Sequence, residues 1–446
     1  MIAKNIELNG LDPATRALDI LYWKNHCLKQ LESLLCAANS YCTADIAAQL
    51  RILSELVLPN LGPRPSTAIG PSYLTQSGSP IQLSLNTTSS KNYVRYCWEI
   101  LGATGASNDD PLAVQAAKDI VASLSATFHL STKWSDVLLS TFEVTPDQAR
   151  KILNMLPEWI QRFVPEGVEC DPPKRIPFIM TAFDLKGSNV AMKLYVNPRA
   201  KEILTGTPSS DLVWGFLRNL TPEMKPEAVD LLERYITDVS GPSAIELIGI
   251  DCVDDVHLSN ARVKLYVHTR SNSFNTVKDY VTLGGAICDE ETHKGLGILR
   301  SIWHLLLQEP EGISDDEFDK PVNDSSMMCQ KLYFSFELRP GRDFPQVKIY
   351  VPTWNYVRSD GETIRNYEAV FRACDHPWGE DETYGKIFQD AFGPATMNRK
   401  KPIHCDASFL FTEETGVYQT LYFSLPIQEE TNPIEVESTP ECYVEK

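Results

Sequence analysis

The sequence predicts an α+β fold in which ten antiparallel strands close into a barrel inside a ring of helices. Three observations predict it. One five-residue pattern, apolar–Lys–apolar–Tyr–apolar, occurs at 192–196, 263–267 and 347–351, with copies roughly 70 to 85 residues apart, so the chain repeats itself on a long period. Each copy alternates as a strand does, which puts Lys and Tyr on one face and aliphatic groups on the other. Five strand pairs can be read along the chain, each flanked by helical stretches, and closing them into a barrel leaves no strand edge unpaired.

In order along the chain, residues 12–37 read as an amphipathic helix, with Leu18, Ile20, Leu21, Trp23 and Leu28 near helical spacing. Residues 44–57 read as a second helix, stopped by Pro59, Gly62, Pro63 and Pro65. The loop Gly70-Pro71-Ser72-Tyr73-Leu74-Thr75-Gln76-Ser77-Gly78-Ser79-Pro80 leads into a strand over 81–86. Polar residues 87–91 turn the chain, and 93–100 returns with Arg95. The unit then recurs. Helices near 111–129 and 145–163 precede strands 176–186 and 190–196. A helix near 224–238 precedes strands 243–252 and 260–268, with Asp254-Asp255 read as their hairpin turn. Helices near 275–282 and 290–307 precede strands 330–338 and 345–351. Helices near 361–374 and 382–392 precede strands 403–411 and 417–424, where Tyr418, Thr420 and Tyr422 share a face. The expectation is a single barrel domain over 1–428 and an acidic tail over 429–446 that frays.

A chain of 446 residues that is 43% hydrophobic can bury a substantial core. Its net charge of −18 argues against a nucleic-acid or anionic-membrane partner. Residues 1–10 hold no apolar signal region, and no run reaches 18 apolar residues. Eleven Cys without a Cys-x-x-Cys pair read as reduced thiols, and Cys442 lies one residue too far from the end for a prenylation box. Together these features predict a cytoplasmic protein; monomer and homodimer both stay open.

The chemistry turns on which strand face points inward. If helices cover the aliphatic faces, the polar faces share an interior. Cations there need an anion, because an unpaired buried charge is costly. The return strands then gather Arg95, Lys193, Arg262, Lys264 and Lys348, beside Tyr195, Tyr266, Tyr350, Tyr418 and Tyr422. Five cations suit a diphosphate. Tyr rings offer negative π-faces to a cation, and their hydroxyls can bond phosphate oxygens. An allylic diphosphate needs both, since it ionises to a diphosphate anion and an allyl carbocation that must be shielded from water. The competing reading makes the tyrosines core filler and pairs each Lys with a local carboxylate.

On these residues the chain resembles the fungal aromatic prenyltransferases of the dimethylallyltryptophan synthase type, over about residues 13–425. The motifs are Pro71-Ser72-Tyr73-Leu74-Thr75 before Gly78-Ser79-Pro80, Val94-Arg95-Tyr96, Phe183-Asp184-Leu185-Lys186-Gly187 followed by Lys193-x-Tyr195, Arg262-x-Lys264-x-Tyr266, and Pro345-x-x-Lys348-x-Tyr350. The resemblance implies the αββα-repeat (ABBA) prenyltransferase barrel. It implies transfer of a dimethylallyl group from dimethylallyl diphosphate, as co-substrate, to an electron-rich aromatic acceptor in fungal secondary metabolism. It also implies that these Arg, Lys and Tyr positions bind the donor, and that neither a cofactor nor a metal is required.

Two positions depart from the family. Its members usually carry a Glu after Gly-Ser-Pro that takes the proton from an indole nitrogen; here the residue is Gln82. An amide can orient an acceptor but cannot act as a base near neutral pH. Members that alkylate tryptophan at ring carbon four resemble one another in a Lys about 13 residues before Lys-x-Tyr, and that position is Met180. Gln82 and Met180 are therefore expected to face the acceptor without accepting its proton. A phenolic or polyketide acceptor, whose proton can pass to water or diphosphate, is favoured. An indole alkaloid or cyclic dipeptide is the alternative, and a non-catalytic barrel that binds an isoprenoid or anion is the reading from a different class.

One motif competes. Asp315-Asp316-Glu317-Phe318-Asp319 matches the Asp-Asp-x-x-Asp box by which metal-dependent prenyl synthases hold magnesium. It follows Glu309-Pro310-Glu311-Gly312 in a connecting stretch, and no second acidic box accompanies it. Ser314 and Glu317 are read instead as a helix capping box, and no metal ligands are assigned. There is no Gly-rich nucleotide loop and no Gly-x-Ser-x-Gly elbow. His268 and His404 could line the barrel, although a lone His on a strand is more often structural.

Overall fold

The computed structural model describes residues 12–65, 72, 74–162, 164, 175–309, 315–323, 330–399 and 401–427. Gly70, Pro71, Tyr73, Ser314 and the acidic tail lie outside the described residues. The ten strands are β1 (Ile81–Thr87), β2 (Asn92–Glu99), β3 (Ile179–Lys186), β4 (Asn189–Val196), β5 (Ile245–Cys252), β6 (Val263–Thr269), β7 (Leu332–Leu338), β8 (Gln346–Val351), β9 (His404–Thr412) and β10 (Gly416–Ser424). Each pairs antiparallel with its neighbours in sequence, and β10 pairs with β1 to close the barrel.

Alternation decides the polarity of the wall. Along β6, Val263, Leu265 and Val267 are fully buried, while Lys264, Tyr266 and His268 line the interior. The aliphatic faces are covered by helices α1 (Pro13–Ala38), α2 (Thr43–Ile52), α3 (Val114–Phe128), α4 (Lys133–Phe142), α5 (Pro146–Gln161), α6 (Arg199–Thr205), α7 (Ser209–Arg218), α8 (Pro226–Ser240), α9 (Phe274–Thr282), α10 (Glu290–Leu306), α11 (Asp360–Ala373) and α12 (Thr383–Phe392). Helix α1 shows why such a segment forms. Pro13 opens it, the Asp12 carboxylate accepts from the Thr15 N–H, and Trp23, Cys27, Leu31, Leu34 and Leu35 make its buried stripe. The hydrophobic core is thus the shell between strands and helices, and the barrel's axis is left for polar groups.

Several local expectations need correction. The second helix ends at Ile52 and continues as a π-helical turn, Leu53–Val57. Helices α4, α6 and α7 were not expected; they are short, and Gly206 and Pro208 separate α6 from α7. Asp254 does not make a hairpin turn. Its carboxylate caps a 3₁₀ segment, Asp255–Asn260, by accepting from the His257 N–H. Asp315–Asp319 forms a turn rather than a helix. There Lys278 and Arg300 hold the Asp316 carboxylate at 2.9 and 2.7 Å, and Asp319 accepts from the Asn272 N–H.

Two β-bulges alter the alternation. On β5, Ile245 and Leu247 stand opposite the adjacent pair Val267 and Tyr266, which leaves Glu246 as the extra residue. On β9, the step from His404 to Ala407 spans three residues against two on β10, from Phe423 to Leu421. A bulge re-aims the side chains beside it. His404 accordingly points outward, against Asp360 and Tyr384 (both 2.6 Å), rather than lining the barrel. Asp406 points in. Among the described residues, no helix is long and apolar enough to cross a membrane.

Candidate active site

The barrel encloses a chamber of about 1470 Å³. The twelve residues assigned to the site from sequence all line it: Gln82, Arg95, Met180, Lys193, Tyr195, Arg262, Lys264, Tyr266, Lys348, Tyr350, Tyr418 and Tyr422. The registers explain the gathering. Arg95, Lys193, Lys264 and Lys348 stand on successive return strands β2, β4, β6 and β8, opposite Ser84, Ala182, Gly249 and Ser335 of the outgoing strands. Arg262 lies just ahead of β6.

Carboxylates on the outgoing strands meet most of these cations. Asp184 takes Arg95 (3.1 Å) and Lys193. Asp251 accepts from Arg262 at 3.1 Å, and Glu337 meets Arg262 at 3.3 Å, Lys264 at 3.0 Å and Arg339 at 2.6 Å. The competing expectation of local pairing therefore holds for four of the five cations. The chamber still carries more cations than these three carboxylates neutralise. Lys348 is the exception to pairing. It donates to Thr420 Oγ1 at 3.2 Å and sits 4.2 Å from the Tyr418 ring centroid, with no carboxylate contact among the described residues.

Titration follows from this crowding. Burial lowers Lys348 well below the ordinary lysine value, and Arg95, Lys264 and Lys193 push it the same way. Burial likewise brings Lys193 down to about 8, against the pull of Asp184. Burial works against ionising Asp184, yet Arg95 and Lys193 hold it well below the usual carboxylate range.

Next to the cations runs a belt of tyrosines. Ring centroids are 6.2 Å apart for Tyr195 and Tyr266, 5.9 Å for Tyr266 and Tyr350, and 6.0 Å for Tyr350 and Tyr422, and Tyr333 stacks on Tyr350 at 4.5 Å. Burial raises all five hydroxyls well above the ordinary tyrosine value. Gly249 makes room for the belt, since a Cβ there would lie 2.5 Å from the Tyr195 ring. Tyr418 belongs with the cations instead, where its hydroxyl accepts from Arg95.

A third group of residues lines the chamber away from the paired cations: Gln82, Met180, Tyr333, His268 with Glu246, and Asp406. The Gln82 amide nitrogen makes a long contact, 3.5 Å, with Asp406 Oδ2. Burial pushes the Asp406 carboxyl up to about 7, against a hydrogen bond from Tyr333, the charge of His268 and the Gln82 amide. Glu246 behaves oppositely. Burial is outweighed by Arg199 and His268, which hold it at about 2.

Asp184, Asp251, Glu337, Asp406, Tyr333 and Gly249 were not singled out as site residues from sequence. All but Tyr333 and Asp406 stand directly opposite Arg95, Lys193 or Lys264 on the neighbouring return strand, a signal that only the register makes readable. Among the described residues, no group of three or more His, Cys, Asp or Glu is placed to hold a metal ion.

Residues 19–386 match the family model for tryptophan dimethylallyltransferase. The chain belongs to that family. It is 88% identical to the indole diterpene prenyltransferase ltmF of Epichloe festucae var. lolii, over 97% of this chain and 98% of that protein. It is 55% identical to the indole diterpene prenyltransferase terF of Tolypocladium album, over 92% and 94% respectively. The fold is shared with crystalline AnaPT from Neosartorya fischeri at a TM-score of 0.74 and 21% identity, over 93% of this chain and 96% of that one. The protein is thus an ABBA-barrel aromatic prenyltransferase of fungal secondary metabolism. Its substrates are small molecules, a prenyl diphosphate and an aromatic acceptor.

Proposed function

We propose that this enzyme transfers a dimethylallyl group from dimethylallyl diphosphate to the indole ring of an indole diterpene, without a metal. The observation that carries the reading is the chamber's division into an excess of cations on one side of a tyrosine belt and a less basic, partly apolar region on the other. Arg95, Lys193, Arg262, Lys264 and Lys348 would hold the diphosphate, with the Tyr418 hydroxyl among them. As the C1–O bond breaks, its electron pair stays on the diphosphate, whose growing charge these groups stabilise. Their charge does the work a metal does in other prenyl synthases. Tyr195, Tyr266, Tyr350 and Tyr422 would flank the allyl cation with neutral π-faces and keep water from it. Gln82 and Met180 would face the acceptor, with Gln82 orienting the ring. Of the acceptor classes the sequence left open, the names of the 88% and 55% identical relatives favour the indole over the phenol. We assign the whole activity to one barrel domain, 1–428, acting in the cytoplasm as a monomer or homodimer.

The test is incubation with dimethylallyl diphosphate and a panel of indole diterpenes, simple indoles and phenols, read by mass spectrometry. A product heavier by one dimethylallyl group, made fastest from an indole diterpene, is expected. Donor consumed only to dimethylallyl alcohol, with every acceptor returned unchanged, would refute transfer.

A further inference from the structure

Electrophilic substitution on an aromatic ring ends in loss of a proton, and Gln82 cannot take one. The acidic residues of β3, β5, β7 and β9 divide sharply. Asp184, Asp251 and Glu337 each face an Arg or Lys within 3.3 Å, and Glu246 is held between Arg199 (2.7 Å) and His268 (2.5 Å). Asp406 has no Lys or Arg contact among the described residues, so its basicity is not spent on a cation. It lines the chamber with Met180 and Tyr333, and only β10 separates its strand from β1. Its Oδ2 lies 3.5 Å from the amide nitrogen of Gln82, the residue standing at the family's Glu position. The β9 bulge is what delivers it. Regular alternation from His404 would set Asp406, two residues on, on the same outward face; the bulge turns it inward.

We propose that Asp406 is the proton acceptor for the aromatic substrate, taking from β9 the role that the β1 position cannot fill. This rests on the prenyl-transfer reading above. In the step, an electron pair of the ring forms the new carbon–carbon bond to the allyl cation. The C1–O pair has left with the diphosphate. The alkylated ring then gives its proton to an Asp406 oxygen, and the C–H electron pair restores aromaticity. The carboxylic acid returns the proton to water when product leaves. Gln82 can donate from its amide to the carboxylate's other edge or to the acceptor, holding the two in place.

The local environment suits a base at neutral pH. With its carboxyl at about 7, Asp406 is ionised above that pH yet far more basic than an ordinary carboxylate. The groups facing it are Gln82 on β1, His268 on β6, Tyr333 on β7, Tyr367 on α11 and its neighbour Cys405. Since the ionised form acts, kcat/KM should fall as pH drops through about 7.

The experiment compares wild type, Asp406→Asn, Gln82→Glu and the double variant Gln82→Glu/Asp406→Asn. Prenylation kcat/KM, its pH profile and the Kd for dimethylallyl diphosphate are measured for each. Asp406→Asn is expected to lose roughly a hundred-fold or more in kcat/KM, the scale of a lost general base, with donor Kd within about three-fold of wild type. The double variant, with its base moved to β1, is expected to recover at least about ten-fold of that loss. Three results would overturn the proposal. One is Asp406→Asn turnover within about three-fold of wild type. Another is loss of donor affinity in parallel with turnover, unrelieved in the double variant, which marks a structural role. The third needs no substitution: a wild-type profile flat from about pH 5.5 to 8 leaves no room for a base of this kind. A wild type that prenylates nothing overturns the prenyl-transfer reading itself, and is recognised before any variant is made.

Discussion

Replacing Lys348 by Met tests the polarity of the chamber in two directions at once. Met keeps an unbranched stem of similar length and removes the ammonium. Lys348 is 8% exposed as a residue, and its ammonium has no carboxylate contact among the described residues and feels the charges of Arg95, Lys264 and Lys193. Its folded pKa lies well below 10.5, so below 10.5 the unfolded chain binds this proton more readily than the folded one. The group therefore subtracts stability at neutral pH, and the deficit shrinks as pH rises toward 10.5. Lys348→Met should raise the melting temperature at pH 7 and lose that advantage near pH 10. The Thr420 hydroxyl is not orphaned, because it also bonds Asn86. Toward the donor the sign reverses. One charge-assisted hydrogen bond to a phosphate oxygen is lost, about 1.5 to 3 kcal/mol, so donor affinity should drop roughly ten- to 150-fold. Differential scanning calorimetry with and without inorganic diphosphate reads the stability, and titration calorimetry with dimethylallyl diphosphate reads the affinity. A variant that binds donor as wild type does would show that Lys348 does not face the diphosphate. A variant less stable than wild type at pH 7 would show that Lys348 is well satisfied in the empty chamber.

Gly249→Ala would drive a methyl into the Tyr195 ring, 2.5 Å away, and tilt it out of the belt. Expected is a roughly ten- to hundred-fold fall in kcat with donor Kd little changed, and an unaltered kcat would remove Tyr195 from the transition state. Lys264→Ala leaves Glu337 to Arg262 and Arg339, but takes one contact from the diphosphate. Donor affinity should fall roughly ten- to hundred-fold, and unchanged donor kinetics in the folded variant would contradict the assignment. Turnover should survive excess EDTA; activity lost to the chelator and restored by magnesium would refute the metal-free reading.

The return strands were legible because their pattern is local. Lys264 and Tyr266 alternate with Val263, Leu265 and Val267, and burying the aliphatic face leaves the polar one a single direction. The outgoing strands hold the other half of the site, and their meaning is long-range. Asp184 matters because it stands opposite Arg95, Asp251 because it stands opposite Lys193, and Glu337 because it stands opposite Lys264. Register is set by the closed barrel as a whole, not by the residues of one strand. Asp406 was harder still. Simple alternation puts it on the face of His404, and a bulge has no short sequence signature, so a strand acid with no Lys or Arg contact among the described residues was also one whose direction could not be read.

The same pairing explains how one cavity can hold carboxylates, tyrosines and a carbocation together. An allyl cation alkylates any good nucleophile within reach, and the chamber offers several. The acids on the cation side are tied into ion pairs, with Asp184 and Glu337 held far below the usual carboxylate range by Arg95 and Lys193, and by Lys264 and Arg262, even though burial works the other way. The belt tyrosines are kept protonated by burial, so their rings present π-electrons without a phenolate oxygen. Pairing also offsets the cost of gathering these charges, since four of the five cations have carboxylate partners within the chain. Among the described residues, Lys348 has no carboxylate contact and Asp406 has no Lys or Arg contact. A diphosphate would answer the first and a ring proton the second, so these two groups are ones that an allylic donor and an aromatic acceptor would complete.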